Sequence, residues 1–325
     1  MSTINKPKIL TVGTGAVGAI YSWRLSKSCH LTTVCRSNYE TVKKEGFEID
    51  SAKFGKEIFR PDNVVQTVSE AITPEIPYYD YILVTLKALP ECYDVADIIA
   101  PAVTSEKTTI VLIQNGLGVE EPIVRQFPNN PLISIVAYIG TSQTRPGKIL
   151  MVGNESLIIG PYLQAKTNSD VERADFIEIL KEGDVDVQLV DDVERVRWQK
   201  LFWNAAFSPV CALTGMNTTQ LLANKEAMRV VKLVMKEVIE SANAYGYGFN
   251  PEEQIHNMIT RTETTAKNYK PSMQLDKERS SPMEIEVILG VPLKRAKAKG
   301  LQVPNLELMH SLCSATNALI MCNSV

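Results

Sequence analysis

The sequence is poor in the side chains that metal and triad chemistry need. Its three histidines, His30, His256 and His310, fall in no H-x-x-x-H or H-E-x-x-H pattern. A histidine-built zinc site or a serine–histidine triad therefore has little to draw on, and no metal is expected. Six cysteines, at 29, 35, 92, 211, 313 and 322, form no C-x-x-C pair. Reduced thiols of a cytoplasmic protein are the expectation. Clustered cations are missing too: 34 Lys and Arg stand against 37 Asp and Glu, for a net charge of −3. Nucleic acid is thus not expected as a partner, because neutralising phosphates needs grouped positive charge. No apolar stretch approaches the ~20 residues that span a bilayer. The longest uncharged one, residues 132–140, is strand-sized, so no membrane partner is expected. Residues 1–7 show no apolar core of the signal-peptide kind.

What is present describes a folded globular chain. Hydrophobic residues make up 45% and charged residues 22% of 325, enough for about two domains with cores of their own. Short β-rich runs alternate with helical stretches up to about residue 190. Strands are expected at 8–13, 30–36, 79–86, 108–114, 131–140, 148–152 and 185–190, with a helix over 16–27. Near-continuous apolar strands separated by helices predict a parallel sheet covered on both faces, a doubly wound α/β domain. Beyond about 192 the strand signals stop. Helices are expected over 194–207, 220–245, 251–267, 283–299 and 305–321. The predicted division is 1–191, the doubly wound α/β domain, and 192–325, an all-helical domain.

Gly13-Thr14-Gly15-Ala16-Val17-Gly18 is a G-x-G-x-x-G placed where a strand gives way to a helix. There Gly13 permits the tight turn, Gly15 lets backbone approach a pyrophosphate, and Gly18 lets helix and strand pack closely. The end of the second strand offers Arg36 where an NAD site usually has an acid. A guanidinium suits a ribose 2′-phosphate, so NADP(H) is favoured, with a solvated surface arginine as the alternative. Lys87 and Asn115 follow two further strands. Lys87 could meet a phosphate or a carboxylate, or simply be solvated. Asn115 could bond a ribose or nicotinamide group, or serve only as the Asn-Gly turn that it also spells.

In the helical part, Lys200, Asn204 and Ser208 recur every four residues and share one face amid Leu201, Phe202, Trp203 and Phe207. A polar stripe in so apolar a helix suggests a functional surface, against the plainer reading of a solvated stripe beside a core face. Ser281-Pro282-Met283-Glu284 fits a capping box with proline at the first helical position, which gives Glu284 a structural task. Ser272, in Lys270-Pro271-Ser272-Met273, is expected in a loop.

Taken in order, Gly13–Gly18, Arg36, Thr85-Leu-Lys87-Ala, Gln114-Asn115-Gly116, Trp198-Gln-Lys200-Leu-Phe-Trp-Asn204, Pro271-Ser272-Met273 and Met283-Glu284-Ile-Glu resemble the ketopantoate reductases (2-dehydropantoate 2-reductases). The resemblance runs from residue 8 to about 312. It implies a Rossmann-type domain followed by an all-α domain, with the active site in the cleft between. It also implies NADPH-dependent reduction of a 2-oxo acid to a 2-hydroxy acid, ketopantoate to pantoate in pantothenate biosynthesis. Lys200 matches the family's proton donor. Asn204 and Ser272 match substrate-binding positions, with Ser208 beside them. Gly13 to Gly18, Lys87, Asn115 and Glu284 match cofactor-binding positions, and Arg36 the arginine that reads the NADP phosphate. Two positions depart from the pattern: Ser208 stands where a second asparagine is common, and Leu289 where another asparagine precedes a glycine. Other readings are a same-family reductase of another 2-oxo acid or ketone, and an NADPH-sensing binding protein without turnover. The helix 305–321 could pack internally or against a second copy of the chain.

Overall fold

The computed structural model describes residues 6–322; residues 1–5, part of the N-terminal segment considered above, lie outside the described residues. The chain divides into two compact units. The first comprises residues 1–87, 93–114 and 119–193, and the second 88–92, 115–118 and 194–325.

Among the described residues the first unit holds one sheet of ten strands: β1 (Lys8–Val12), β2 (His30–Val34), β3 (Phe47–Ser51), β4 (Gly55–Phe59), β5 (Asn63–Val65), β6 (Tyr81–Val84), β7 (Thr109–Leu112), β8 (Leu132–Arg145), β9 (Lys148–Gly160) and β10 (Val187–Leu189). Its helices are α1 (Ala16–Leu25), α2 (Tyr39–Glu45), α3 (Val95–Ile99), α4 (Glu121–Gln126) and α5 (Asp170–Glu182). The order β5-β2-β1-β6-β7-β8 is parallel throughout, the Rossmann arrangement. All four residues of β6 and of β7 are buried, so both faces of the central sheet are covered, as their unbroken apolar runs require. On one face Ile9, Leu83, Val111 and Ile133 pack with Tyr21 and Leu25 of α1 and Phe176 and Leu180 of α5. Burying each such side chain contributes about 1.5–3 kcal/mol.

The sheet differs from the expected all-parallel one in two places. The strands at 131–140 and 148–152 are halves of a long antiparallel hairpin, β8–β9. Pro146-Gly147 makes the connection, with Gly147 at φ +73, and so short a link can join only antiparallel strands. Against β9 lies a second hairpin, β3–β4, that apolar runs did not reveal. β3 alternates buried and exposed residues, the signature of a strand with one wet face.

The second unit is helical: α6 (Val193–Thr214), α7 (Thr218–Ala223), α8 (Lys225–Asn243), α9 (Pro251–Thr265), α10 (Ser272–Glu278), α11 (Val291–Ala298) and α12 (Pro304–Cys322), with a π-helical turn at Glu286–Gly290. The α/β sheet domain followed by an all-α domain is the expected fold class. Several boundaries are corrected. α6 runs seven residues past Phe207, through Pro209. The stretch 220–245 is two helices, because Asn224 leaves helical geometry and its side chain accepts from the N–H groups of Glu226 and Ala227. Ser272 opens α10 instead of lying in a loop. The expected helix 283–299 starts later, so Ser281 and Glu284 cannot be its cap and third residue; the proline near a helix start is Pro292, in α11. Among the described residues no helix is long and apolar enough to cross a membrane.

Asn224→Ala removes the α8 cap. Its expected cost is about 1 kcal/mol, to be read as a lower denaturation midpoint with an unchanged slope in urea.

Candidate functional site

In the sheet unit, strand order reverses between β1 and β6, where ligands of such sheets bind beyond the carboxyl ends. The loop Gly13–Gly18 leaves β1 at this point. Gly13 has φ +98, and a Cβ there would sit 2.5 Å from the Leu86 nitrogen. A Cβ on Gly18 would meet the Thr85 hydroxyl at 2.5 Å. Both glycines are thus consumed by close packing. Gly15 is different: it is exposed, and a Cβ on it would meet nothing within 4 Å. It is the N-cap of α1, which has no side-chain cap and no acid in its first turn. Open space before uncapped N–H groups is suited to an anion.

The loop is tied to the end of β2. The buried Thr14 hydroxyl donates to the Val34 carbonyl and lies 3.1 Å from Cys35 Sγ. Asn38 donates from Nδ2 to the Thr14 carbonyl at 2.9 Å and to Gln143 Oε1 at 3.1 Å. These two positioning amides were not singled out from the sequence; Asn38 just precedes α2 and reads there as an ordinary cap. Ala16 and Val17 are partly buried at the helix start, and Arg36 is exposed in the turn after β2. Lys87 is partly buried, its carbonyl accepting from the Tyr93 hydroxyl. Next to it the Leu86 carbonyl accepts from Gln114 Nε2 at 2.9 Å.

In the second unit, three of the sequence candidates meet. Lys200 Nζ, on α6, donates to Asn115 Oδ1 at 2.7 Å. Asn115 Nδ2 is 3.4 Å from Glu284 Oε2. The other carboxylate oxygen of Glu284 accepts from the Ala88 N–H at 2.8 Å. Glu284, 7% exposed, therefore orders the segments 88–92 and 115–118 and does not cap its own helix. Burial first, and then the Arg197 charge, push the partly buried Lys200 ammonium down to about 8 against the opposing pull of Glu284. Arg197 is itself 3% exposed and donates to the Gly116 carbonyl at 3.1 Å. Its spacing of three from Lys200 puts both on one helix face, a signal the sequence carried.

The remaining candidates lie outside this hydrogen-bonded set. Asn204 and Ser208 follow Lys200 along α6, Asn204 partly exposed and Ser208 buried. Ser272 is exposed at the start of α10. Beside Asn204, Trp203 stacks on Phe207 at 5.3 Å and donates from its indole N–H to the Thr262 hydroxyl at 2.9 Å.

Known proteins resemble this chain along most of its length. Residues 9–164 match the family model "Ketopantoate reductase PanE/ApbA", and residues 192–317 match "Ketopantoate reductase PanE/ApbA C terminal". An uncharacterized protein of Saccharomyces cerevisiae is 33% identical over 94% of this chain and 92% of its own. The 2-dehydropantoate 2-reductase of a Nostoc species is 27% identical over 94% of each chain. A crystal structure of 2-dehydropantoate 2-reductase from Methylococcus capsulatus is similar at a TM-score of 0.84 and 32% identity, covering 96% of this chain and 97% of that one. Both halves match in chain order, and the glycine loop and the Lys200 helix each fall within a matched half, so the chain belongs to the ketopantoate reductase family.

Proposed function

We propose that this chain catalyses NADPH-dependent reduction of a 2-oxo acid to a 2-hydroxy acid, with 2-dehydropantoate as substrate and Lys200 as proton donor. On this reading it serves pantothenate biosynthesis in the cytoplasm. Residues 1–191 bind the dinucleotide, and 192–325 hold substrate and catalyst. The observation that carries the reading is the Lys200 ammonium, partly buried, held at 2.7 Å by Asn115 and brought down to about 8. A structural lysine gains nothing from such placement, whereas a general acid works best with its pKa near the working pH.

The sheet unit suits the cofactor. Gly15 leaves room at the uncapped start of α1 for the pyrophosphate, with Gly13, Thr14, Ala16, Val17 and Gly18 shaping that turn. Arg36, exposed beyond β2, would pair with the 2′-phosphate, while Lys87, Asn115 and Glu284 would hold more of the dinucleotide. Bound reduced nicotinamide supplies a hydride. The residues do the rest. Lys200 stabilises the carbonyl oxygen as negative charge gathers on it, then gives it a proton. Asn115 and Glu284 keep the ammonium in place between turnovers. Asn204 and Ser272 would hold the substrate by hydrogen bonds, with Ser208 alongside.

One observation favours a second reading within the family, reduction of another 2-oxo acid or ketone. Ser208 is 3% exposed and Leu289 fully buried, so two positions where the family commonly carries amides here hold a buried hydroxyl and a hydrocarbon. A panel of 2-oxo acids that includes ketopantoate, followed by NADPH oxidation, decides between them by the highest kcat/KM.

A second copy of the chain is the partner we propose for α12. Leu308, Leu312 and Leu319 are 60%, 48% and 68% exposed on one face of it. With Ala315 and Cys322 they recur at alternating steps of four and three, the seam spacing of paired helices. Leu312→Glu is expected to shift sedimentation from dimer to monomer. A monomeric parent protein would dismiss this pairing.

Lys200→Ala is expected to lower kcat by about 10²–10⁴-fold, with NADPH affinity by fluorescence titration little changed. Because the reduction needs the ammonium, kcat of the parent enzyme should fall as pH rises through about 8. Undiminished turnover of the variant excludes Lys200 as proton donor. For Arg36→Asp, the ratio of kcat/KM for NADPH over NADH should drop at least ~10-fold, since a carboxylate repels the phosphate and suits the free ribose hydroxyls; an unchanged ratio means another group reads the phosphate.

A further inference from the structure

The loop that carries Asn115 is clamped at successive residues. Arg197 Nη1 donates to the Gly116 carbonyl at 3.1 Å, and the Leu117 N–H donates to the Val287 carbonyl at 2.9 Å. Gly116 has φ +95, and a Cβ on it would fall 2.4 Å from the Val287 Cβ. No other residue therefore fits between the two clamps. The Val287 clamp has a local origin. Val287 lies in the π-helical turn, whose bonds run from N–H of residue i+5 to the carbonyl of residue i. For Val287 that donor would be residue 292, which is proline and has no N–H. Its carbonyl is left for Leu117.

The Arg197 clamp is the informative one. Arg197 is 3% exposed, and a charge so deeply buried acts on its neighbours through its field as well as through its hydrogen bonds. Arg197 lies one helical turn before Lys200, so two cations share one buried face of α6. Arg197 on its own helix and Glu284 before the π turn are charged groups that act on Lys200. Between them stands Asn115, whose amide receives the ammonium on one side and points to Glu284 on the other.

We propose that Arg197 is a positioning residue for the reaction: it ties the Gly116 carbonyl to α6, so holding the Asn115 amide on Lys200, and it places a permanent positive charge one helical turn from the ammonium. The proposal rests on Lys200 being the proton donor. It assigns to Arg197 two separable effects. The forked donor fixes geometry, and the charge makes the neighbouring ammonium easier to deprotonate. Burial depresses the ammonium first, and the arginine adds to that depression while Glu284 opposes it.

The test uses the full-length protein and kcat measured from pH 6 to 10 for the parent, Arg197→Met, Arg197→Lys and Lys200→Ala, each checked for folding by thermal melting. Arg197→Met removes the cation, so the alkaline limb of kcat should move up by about half a pH unit or more, with the plateau at least ~10-fold lower because Asn115 is no longer held. Arg197→Lys keeps the charge and loses the fork. Its limb should stay where the parent's is while its plateau falls. A residue that served packing alone would leave the limb in place in both variants. A folded Arg197→Met with the parental limb overturns the proposal. Should Arg197→Met fail to fold, a folded Arg197→Lys with a full plateau overturns the positioning role by itself. Lys200→Ala separates the two levels of inference. If it turns over normally, the proton-donor reading fails; if it is inactive while Arg197→Met keeps the parental limb, only the role of Arg197 fails.

Discussion

The Glu284 carboxylate is the anchor of the helical unit's polar centre. A buried carboxylate is tolerated only when it is paired and hydrogen-bonded. This one meets that condition by drawing in the Ala88 N–H and the Asn115 amide, from segments that precede it by 196 and 169 residues. Those segments then present Asn115 to Lys200. Arg197 and Lys200 lie on the same face of α6, and Glu284 opposes the effect of Arg197 on the Lys200 ammonium.

The two units build their candidate sites by different means. In the sheet unit the backbone is exposed where it is useful. Gly13 and Gly18 are locked by contact with Thr85 and Leu86, while Gly15 is left open. In the helical unit side chains are gathered instead, and the ordering falls to a buried hydrogen-bond network and a π turn. A π turn is costly in regular structure, and it persists where the displaced carbonyl has another task. Here that task is to receive Leu117.

Much of this was legible in the sequence because it follows from short-range rules. The apolar runs of β1, β6 and β7 predicted a covered parallel sheet, and the glycine loop was recognisable from its place between strand and helix. The four-residue spacing of Lys200, Asn204 and Ser208 fixed a common helix face. What was not legible depended on one side of a strand or on distant partners. β3 alternates and β4 is exposed except at Phe59, so neither has a strong apolar run. The β8–β9 hairpin was hidden because its long strands read as two separate short ones, although Pro146-Gly147 announced the turn. Asn224 was absorbed into an amphipathic pattern that continues on both sides of it. Glu284 looked like a cap because the local motif Ser-Pro-Met-Glu is a good one; the preference of its carboxylate for Ala88 and Asn115 is a tertiary fact. Arg197 was passed over as one more charged residue, since its burial shows only in three dimensions.

The discontinuity of the second unit has a consequence for how the protein can be made. Segments 88–92 and 115–118 are counted with the helices, yet the ribosome releases them long before α6. Until then the Asn115 loop has neither the Arg197 clamp nor the Val287 carbonyl. A gene split near residue 192 would therefore yield a helical fragment missing two of its own pieces, and recombining separately expressed halves would have to rebuild those loops on a surface that had never seen them.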